Sequence, residues 1–388
     1  MPEFKYAIVG GGMTGHAAAQ AIRSVDASGS IAMIGDEPER PYARPPLSKG
    51  LWTGQEEGSI WLPELEDVAL RTGARVVELD RAGRRLVLDG RDVIRYERLL
   101  LATGGAPRRL PFGGEEVVYY RTVADYRRLE SLPIGRHVTV VGGGFIGSEM
   151  AASLATAGYQ VTMLFPEEGI GARILPRDLA LWLNDYYAER EVEVKAGVTL
   201  DGIERDGQRF ALQTSAGALR TDLVLAGVGI VPNDRLAAAA GLTVDDGIVV
   251  DEMLRTSDPA IYAAGDVARF PSPHLGRHIR VEHEDNANRM GRAAGLAMAG
   301  AGEPYRHLPF FYSDLFDLGY EAVGVLDSRL ETVADWKQQF QRGFVYYLAE
   351  RRVVGVLAWG AFGKMDAARE LIAQPGPHDA AALIGRIA

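Results

Sequence analysis

Two glycine-rich turns are the stretches of this sequence whose residue types and spacing indicate chemistry most directly. The first runs from Gly10 to Gly15 and the second from Gly142 to Gly147, and each follows the pattern Gly-x-Gly-x-x-Gly after an apolar strand. In such a turn the glycines permit a tight bend and let the backbone approach a pyrophosphate, whose charge is stabilised by free N–H groups at the start of the next helix. Each turn therefore predicts a binding site for one dinucleotide.

A carboxylate follows each turn at the distance expected for recognition of a ribose. Asp36 and Glu37 follow the second strand, with Asp36 21 residues after the first turn, and Glu167 stands 20 residues after the second turn. A carboxylate accepts hydrogen bonds from ribose hydroxyls and repels a 2′-phosphate, so Glu167 favours NADH over NADPH at the second site. The nearby Arg173 leaves this preference open, and the alternative for Glu167 is a solvated residue after a strand.

Two dinucleotides in one chain imply transfer between them, and the composition excludes thiol chemistry as the next step. The 388 residues include no cysteine, so the chain has no disulfide, no thiolate metal site and no thiol nucleophile. The 7 histidines are scattered and form no His-Glu-x-x-His motif, so no metal site is predicted. Any redox chemistry consequently requires a bound cofactor.

A proline-rich loop from residue 40 to residue 52 carries two cations that are candidates for ligand binding. Its three prolines predict an ordered, extended segment, which is able to hold Arg44 and Lys49 against a ligand. The chain has only 5 lysines among its 42 basic residues, which favours a specific requirement for a compact ammonium at Lys49. A surface turn with solvated basic residues is the alternative.

The elements that must position these residues alternate between strands and helices along most of the chain. Apolar strands followed by helices predict two βαβ units, with alternating strands between residues 74 and 103. Residues 260 to 266 predict a strand and then a Gly-Asp turn into a helix, where Asp266 serves either a polyol or phosphate contact or a helix N-cap. From residue 308 the pattern predicts a smaller third domain, with strands at 320–326, 343–350 and 352–359 and a helix at 362–373.

Composition and charge describe a globular protein for which nucleic acid is not an expected partner. Apolar residues make up 47%, charged residues 24%, and the formal net charge is −10. Five arginines gather from Arg269 to Arg292, either as a docking face for an acidic partner or as a solvated face with interleaved acids. The first strand leaves no room for a signal peptide and no apolar run reaches about 18 residues, so we expect a soluble, cytoplasmic protein without membrane insertion.

Several motifs together resemble those of the FAD- and NAD-dependent flavoprotein reductases that bind two dinucleotides, a group with glutathione-reductase-like enzymes and the ferredoxin and rubredoxin reductases. These motifs are Arg-Pro-Pro-Leu-Ser-Lys at 44–49, Ala-Thr-Gly-Gly at 102–105 and Gly-Asp at 265–266. The absence of a Cys-x-x-x-x-Cys pair excludes the disulfide-reducing branch. Within the group the chain is most similar, over essentially its whole length, to apoptosis-inducing-factor-like bacterial flavoproteins, through motifs at 164–167, 174–176, 281–283 and 319–322 and a helix near Lys364.

The resemblance implies a fold class and a domain organisation. The fold is α/β, with two Rossmann-like dinucleotide-binding domains of the glutathione-reductase type and a small C-terminal α+β domain. The implied domains are a discontinuous FAD-binding domain at 1–112 and 240–307, an NAD(H)-binding domain at 113–239 and the C-terminal domain at 308–388. The implied cofactors are FAD at the first turn and NADH, with NADPH less favoured, at the second.

The resemblance also assigns roles to single residues, and it implies that Lys49 and Glu149 pair beside the flavin ring as the catalytic residues. A fixed ammonium there stabilises the negative charge that the ring gains near N1 and C2 when N5 accepts a hydride. The residues implied to bind FAD are Gly10, Gly11, Gly12, Met13, Thr14, Gly15, Asp36, Glu37, Arg44, Lys49, Val76, Ala102, Thr103, Gly104, Arg121, Gly265, Asp266, Glu282, His283 and Tyr312. The residues implied to bind NAD are Gly142, Gly143, Gly144, Phe145, Ile146, Gly147, Glu167, Arg173, Gly229 and Glu321.

Tyr312 and His283 differ from the other residues of these sets in what the resemblance implies for them. Tyr312 departs from the pattern of the relatives, which commonly carry tryptophan there facing the flavin, so stacking on the flavin is not carried over. A lone histidine is usually structural, and only the place of His283 in the motif implies a flavin contact for it.

The resemblance implies one function and leaves an alternative. The first is an FAD-containing oxidoreductase that takes a hydride from NADH to flavin N5 and passes electrons to a ferredoxin, a rubredoxin, a quinone or oxygen. The alternative is an NADH-responsive flavoprotein, similar to apoptosis-inducing factor, that forms a long-lived charge-transfer complex and acts as a redox-sensing interaction protein. The expected partners are NADH and a ferredoxin or rubredoxin, and a homodimer is an open option.

Overall fold

The chain crosses several times between two structural units in the computed structural model, which describes residues 1–387. Unit 1 contains residues 1–43, 57–106 and 231–309. Unit 2 contains residues 44–56, 107–230 and those from 310 to the end of the described chain. The three-domain boundaries expected from the sequence stay a prediction.

Strands make up most of the regular structure and number 25 within residues 1–387. The first twelve are β1 (Glu3–Val9), β2 (Ile31–Ile34), β3 (Val68–Arg71), β4 (Val76–Asp80), β5 (Arg85–Leu88), β6 (Val93–Leu101), β7 (Gly105–Pro107), β8 (Val118–Tyr119), β9 (His137–Val141), β10 (Gln160–Phe165), β11 (Val192–Ala196) and β12 (Leu200–Asp206). The others are β13 (Arg209–Thr214), β14 (Gly217–Thr221), β15 (Leu223–Ala226), β16 (Ile230–Pro232), β17 (Ile248–Val249), β18 (Ile261–Ala263), β19 (Ala268–Ser272), β20 (Arg277–Ile279), β21 (Phe310–Leu315), β22 (Leu318–Gly324), β23 (Glu331–Gln338), β24 (Arg342–Ala349) and β25 (Arg352–Trp359).

Eight α-helices and five short 3₁₀ turns accompany the strands in the described part of the chain. The α-helices are α1 (Met13–Val25), α2 (Val123–Glu130), α3 (Phe145–Thr156), α4 (Arg177–Ala188), α5 (Arg235–Ala239), α6 (Glu284–Met298), α7 (Met365–Ala373) and α8 (Ala380–Leu383). The 3₁₀ turns are Pro45–Ser48, Gly50–Trp52, Glu57–Ile60, Gly114–Glu116 and Gly265–Val267. Within residues 1–387, no helix combines the length and apolar character needed to cross a membrane.

Unit 1 is built on a sheet with the strand order β3-β2-β1-β6-β5-β4, and β18 pairs with β6. Strands β1, β2, β3, β6 and β18 are parallel, whereas β4 and β5 join in antiparallel register. The core includes apolar side chains of this sheet and of helices α1 and α6. Because parallel strands end at one edge, the first glycine turn after β1, Asp36 after β2 and Gly265 after β18 lie along that edge.

Unit 2 contains a parallel sheet and two antiparallel sheets. The parallel sheet has the order β11-β10-β9-β15-β8, so the second glycine turn follows the central strand β9. The antiparallel sheets have the orders β12-β13-β14 and β21-β22-β25-β24-β23. The second of these contains the strands predicted after residue 308, and β25 has the predicted bounds.

Two local expectations were wrong. The helix expected after the Gly-Asp turn is absent, because residues 265–267 form a 3₁₀ turn and the chain continues into β19, which pairs with β17 and β20. The proline-rich loop is not extended, since it forms two 3₁₀ turns at Pro45–Ser48 and Gly50–Trp52. The fixed φ of proline is compatible with a 3₁₀ turn as well as with an extended chain.

Candidate functional site

The first glycine turn has the backbone geometry that a pyrophosphate site requires. Gly10 has φ +127°, and an added Cβ there would lie 2.0 Å from the carbonyl oxygen of Ala102. A Cβ added to Gly15 would lie 2.1 Å from the carbonyl oxygen of Gly10, whereas one added to Gly12 would meet nothing within 4 Å. The turn is therefore closed against β6 and α1 and open at Gly12, where a phosphate group fits.

The two carboxylates after β2 have different surroundings. The side chain of Asp36 is 62% exposed and lies 3.6 Å from Nη2 of Arg75. Glu37 accepts a hydrogen bond from the hydroxyl of Tyr42 across 2.5 Å. Arg75 immediately precedes Val76, so the start of β4 lies beside the end of β2. Asp36 is thus the carboxylate that is more accessible to a ribose.

The Ala-Thr-Gly segment after β6 is held by Asn233, which the sequence did not single out as a site residue. The hydroxyl of Thr103 donates to the Asn233 carbonyl, and the Asn233 side-chain amide donates to the Thr103 carbonyl, both across 2.8 Å. The Asn233 N–H also donates to the carbonyl of Gly104 across 2.9 Å. The residues lie 130 positions apart, so no local pattern connects them.

The Gly-Asp turn packs against the start of α1. Gly265 has φ +77°, and a Cβ added to it would lie 2.4 Å from the hydroxyl oxygen of Thr14. The carbonyl of Asp266 accepts a hydrogen bond from Nη1 of Arg280 across 3.1 Å. These contacts fix Asp266 at the sheet edge that also carries the first glycine turn.

Glu282 and His283 lie just before α6 in unit 1. Glu282 accepts a hydrogen bond from Arg280 across 2.8 Å, and the same guanidinium is also paired with Asp246. Burial lowers the pKa of His283 to about 4, and the carboxylates of Asp266 and Asp285 oppose the shift only in part. The imidazole is consequently neutral at pH 7.

A largely buried ion pair joins Lys49 and Glu149 in unit 2. Only 15% of the Lys49 side chain and 5% of the Glu149 side chain are exposed. Lys49 follows the first 3₁₀ turn of the proline-rich loop, and Glu149 lies in α3, two residues after Gly147. The surface-turn alternative for Lys49 is therefore not what the structure contains.

Two serines complete the surroundings of the Glu149 carboxylate. Ser48 donates its hydroxyl to Oε2 across 2.6 Å, and Ser313 donates to Oε1 across 2.7 Å. A buried carboxylate needs both a counter-ion and hydrogen-bond donors, and Lys49 with the serines supplies them. The sequence did not point to either serine, since nothing in its local pattern links it to Glu149.

The rest of the loop is anchored by hydrogen bonds to the backbone. Arg44 donates from Nη1 to the carbonyl of Arg121 across 2.8 Å, which brings together two residues predicted to bind FAD. The indole of Trp52 donates to the Leu47 carbonyl across 2.8 Å. Ser153 of α3 donates to the Ser48 carbonyl across 2.7 Å. Lys49 is thus presented from a fixed backbone.

Tyr312 and Glu321 are cross-strand partners on β21 and β22. The Lys49 ammonium lies 5.2 Å from the centroid of the Tyr312 ring, which is within the range of a cation–π contact. Glu321 accepts a hydrogen bond from the Gly363 N–H across 2.8 Å. The structure therefore brings Tyr312 to the ion pair and places Glu321 beside it on the same sheet.

The second glycine turn repeats the geometry of the first. Gly142 has φ +117°, and its added Cβ would lie 2.4 Å from the carbonyl oxygen of Gly227. A Cβ on Gly147 would lie 1.9 Å from the Gly142 carbonyl oxygen, whereas one on Gly144 would meet nothing within 4 Å. The rings of Phe145 and Phe311 meet edge to face at 5.3 Å. The turn fits a second pyrophosphate in the same way.

The end of β10 carries an ion pair rather than an isolated carboxylate. Glu167 accepts hydrogen bonds from Arg173, with Nε at 2.7 Å and Nη2 at 2.6 Å. The Arg173 side chain is 82% exposed, so it is free to reorient. Across the central strand β9, Gly229 follows the end of β15, and the two flank the glycine turn.

Unit 1 and unit 2 each bring most of their predicted site residues to one edge of a parallel sheet. Among residues 1–387, no group of three or more His, Cys, Asp or Glu residues is arranged to hold a metal ion. Open glycine turns, carboxylates after β2 and β10 and a largely buried ammonium suit organic dinucleotides.

Comparison with protein families gives two matches, which lie between residues 4 and 374. Residues 4–291 match the family described as pyridine nucleotide-disulphide oxidoreductase. Residues 294–339 and 334–374 match the family described as apoptosis-inducing factor, mitochondrion-associated, C-term.

Individual relatives cover almost the whole chain. The ferredoxin–NAD(+) reductase component of the anthranilate 1,2-dioxygenase system of Burkholderia cepacia is 36% identical over 392 residues, covering 97% of this chain and 96% of that protein. Apoptosis-inducing factor 1, mitochondrial, of Dictyostelium discoideum is 33% identical over 418 residues, covering 95% and 78%. The reductase in the covalent putidaredoxin reductase–putidaredoxin complex has a TM-score of 0.90 and 30% identity, covering 96% and 94%.

Proposed function

The chain belongs to the pyridine nucleotide-disulphide oxidoreductase family, and from that premise we propose that it is a flavoprotein that takes electrons from NADH and delivers them to a small iron–sulfur protein. The family's ferredoxin reductases imply FAD and a nicotinamide dinucleotide as the cofactors. Bound FAD supplies the chemistry, because it accepts a hydride from a nicotinamide and gives up electrons one at a time.

The buried pair of Lys49 and Glu149 carries the proposal. The Lys49 ammonium is paired with Glu149, whose carboxylate also accepts hydrogen bonds from two serines, so the ammonium is a fixed positive charge that is costly to build for stability alone. A fixed ammonium of this kind would stabilise the negative charge that reduction brings to the N1 and C2 edge of a flavin ring. We propose this role for Lys49, with Glu149 holding Lys49 and the two serines holding Glu149.

Binding of the two cofactors is assigned to the two glycine turns. We propose that the first turn, Asp36 and the Gly-Asp turn hold the pyrophosphate and ribose of FAD. The second turn and Glu167 hold the dinucleotide that delivers the electrons. The absence of cysteine from the sequence leaves the acceptor, rather than a protein thiol, as the destination of the electrons.

NADH rather than NADPH is the proposed donor. We expect the adenosine ribose of the dinucleotide to lie beside Glu167, whose carboxylate would accept hydrogen bonds from the 2′- and 3′-hydroxyls. Its ion pair with Arg173 lowers the repulsion of a 2′-phosphate, so we expect the preference for NADH to be moderate.

A ferredoxin-class protein is the proposed acceptor because relatives along the whole chain are named as ferredoxin or putidaredoxin reductases. The basic face expected between Arg269 and Arg292 is smaller than the sequence indicated. Arg269 is paired with Asp245, Arg280 with Asp246 and Glu282, and Arg289 with Asp285. The exposed Arg277 and Arg292 are the remaining candidates for contact with an acidic partner.

A second function is supported by the C-terminal family match. Residues 294–374 resemble the C-terminal domain of apoptosis-inducing factor, and a relative of that name is 33% identical. On this alternative, slow reoxidation after reduction by NADH is the purpose of the protein, and the reduced form differs from the oxidised form in its association with partners.

An acceptor assay on the FAD-loaded protein separates the two functions. We expect NADH to reduce the flavin anaerobically and an added ferredoxin-class protein to reoxidise it within seconds. Reduction that persists in the presence of every ferredoxin, rubredoxin and quinone offered, together with a change in sedimentation, would favour the second function.

A further inference from the structure

We propose that Arg108 is a further dinucleotide-binding residue, whose guanidinium binds the phosphate on the nicotinamide side of NADH. The inference rests on the proposed use of a nicotinamide dinucleotide at the second glycine turn. Arg108 was not among the residues that the sequence or the resemblance indicated, because it lies far from that turn in sequence and belongs to no dinucleotide motif.

Arg108 lies directly beside the loop that follows β15. Its N–H donates a hydrogen bond to the carbonyl of Gly229 across 2.9 Å. A Cβ added to Gly229 would lie 3.7 Å from both Cδ and Nε of Arg108, so the side chain itself runs over this glycine. The same loop borders the second glycine turn, since a Cβ on Gly227 would lie 2.9 Å from the backbone nitrogen of Gly147.

The backbone that carries Arg108 is fixed on both sides. The N–H of Leu110 donates to the hydroxyl of Tyr119 across 3.0 Å. The Leu110 side chain packs on the same apolar cluster as Val228, the residue before Gly229. The backbone of Arg108 is therefore held beside the loop that follows β15, and only the outer part of the side chain has to adjust when a ligand binds.

In the described part of the chain, the neighbouring Arg109 has side-chain contacts that Arg108 lacks. Arg109 is 2.7 Å from Glu115 and lies 5.0 Å from the centroid of the Tyr119 ring. Within residues 1–387, the Arg108 guanidinium has no hydrogen bond or ion pair to a side chain. The cation on the other side of the turn, Arg173, is engaged by Glu167. Arg108 is thus the uncommitted cation at a site predicted to receive two phosphate charges.

The strand order determines which half of the dinucleotide Arg108 contacts. Glu167 follows β10 and Gly229 follows β15, on opposite sides of the central strand β9. If Glu167 binds the adenosine ribose, the nicotinamide half extends over the β15 side. Arg108 on that side is placed for the nicotinamide-side phosphate, for which a bidentate guanidinium is well suited.

Binding measurements on the oxidised, FAD-loaded protein test this assignment. The variants are Arg108→Ala, Arg108→Lys and, as the matched control, Arg109→Ala. The ligands are NAD⁺, ADP-ribose and AMP. NAD⁺ and ADP-ribose carry both phosphates, whereas AMP carries only the phosphate on the adenosine side. Titration calorimetry at two salt concentrations gives each Kd and its dependence on ionic strength.

We expect Arg108→Ala to weaken NAD⁺ and ADP-ribose about tenfold and to leave AMP within about twofold. Arg108→Lys should recover part of the loss, the salt dependence should decrease in Arg108→Ala, and Arg109→Ala should match the wild type. Equal Kd values for Arg108→Ala and Arg109→Ala, or an equal loss for AMP, would overturn the assignment while leaving the proposed function intact. Wild-type protein that holds FAD but binds no NAD⁺ would overturn both.

Discussion

Ser313 on β21 donates a hydrogen bond to Glu149 on α3 across 2.7 Å, although the two residues are 164 positions apart in the sequence. Ser48 donates to the other oxygen of the same carboxylate, and Lys49 is its counter-ion. Each of these residues therefore contributes to keeping one buried charge solvated by the protein. Removal of any of these side chains leaves a buried charged group without a hydrogen-bond partner or without its counter-ion.

Removal of the Ser313 hydroxyl should lower the stability of the protein measurably. We expect Ser313→Ala to reduce the free energy of unfolding by about 1.5–3 kcal/mol, because a hydrogen bond to a buried charge is lost. Urea denaturation followed by circular dichroism gives this value. Ser131→Ala, which removes an exposed hydroxyl at the end of α2, should change it by less than about 0.5 kcal/mol. Equal effects of the two substitutions would contradict the role of Ser313.

Separation of the ion pair should cost more than removal of one serine. We expect Lys49→Met to destabilise the protein by about 3–5 kcal/mol, since it leaves Glu149 buried without a counter-ion. The double variant Lys49→Met with Glu149→Gln should regain part of this stability, because the uncompensated charge is gone. Lys337→Met, at an exposed lysine, is the control. Absence of any recovery in the double variant would show that packing at Lys49 rather than charge is responsible.

The sequence predicted those parts of the site that a short stretch encodes. Strand, glycine turn and helix follow one another within a few residues around Gly10 and Gly142, so their geometry was predictable. The bounds of strand β25 were predictable for the same reason, because the turn that precedes it is formed by the adjacent residues Glu350 and Arg351, both with positive φ. In contrast, Ser48 and Ser313 reach Glu149 over 101 and 164 positions, and serine is too common a residue for such contacts to be predicted.

Tertiary pairing also overrode one local signal. A Gly-Asp turn after a buried strand was expected to start a helix, with Asp266 as a candidate cap. The residues that follow instead form β19, which pairs with β17 and β20. Strands β17 and β20 lie outside the local window, so the pairing that decides the structure of this segment was not visible in it.

The pH dependence of stability should reveal the lowered pKa of His283. Its pKa of about 4 in the folded protein lies below the ordinary value of 6.5, so the unfolded chain binds a proton first as pH falls. Stability attributable to His283 is complete above pH 6.5 and decreases as pH falls towards 4. We expect His283→Gln to lose about 1–2 kcal/mol less than the wild type between about pH 7 and pH 5.

Chemical denaturation at several pH values measures this difference. The control is His278→Gln, because His278 is an exposed histidine of the same unit. Identical pH profiles for His283→Gln and the wild type would mean that His283 titrates as an exposed group.

The Glu167 and Arg173 pair should set the choice between NADH and NADPH. We expect Glu167→Ala to lower kcat/KM for NADH and raise it for NADPH, so that their ratio falls about tenfold, because a hydrogen-bond acceptor and a repulsive charge are both removed. Arg173→Ala should shift the ratio in the opposite direction, since it leaves the carboxylate unpaired. Flavin reduction by each nucleotide under anaerobic conditions gives both values. A ratio unchanged in both variants would exclude this pair from the adenosine site.

Docking of the electron acceptor should depend on Arg277 if the exposed part of the basic face is used. We expect Arg277→Glu to reduce the rate of ferredoxin reduction several-fold at low salt and to have little effect at high salt, where charge interactions are screened. The control is Arg220→Glu, at an exposed arginine of the other unit. Equal rates for both variants at low salt would assign docking to a different surface.

The central claim is that this chain holds FAD and reduces it with NADH, and the absorption spectrum of the purified protein before and after anaerobic addition of NADH tests it most directly. We predict a flavin spectrum with one FAD per chain that is bleached by one equivalent of NADH. A colourless protein that takes up no FAD when it is offered, or a bound flavin that NADH leaves oxidised, would contradict the account.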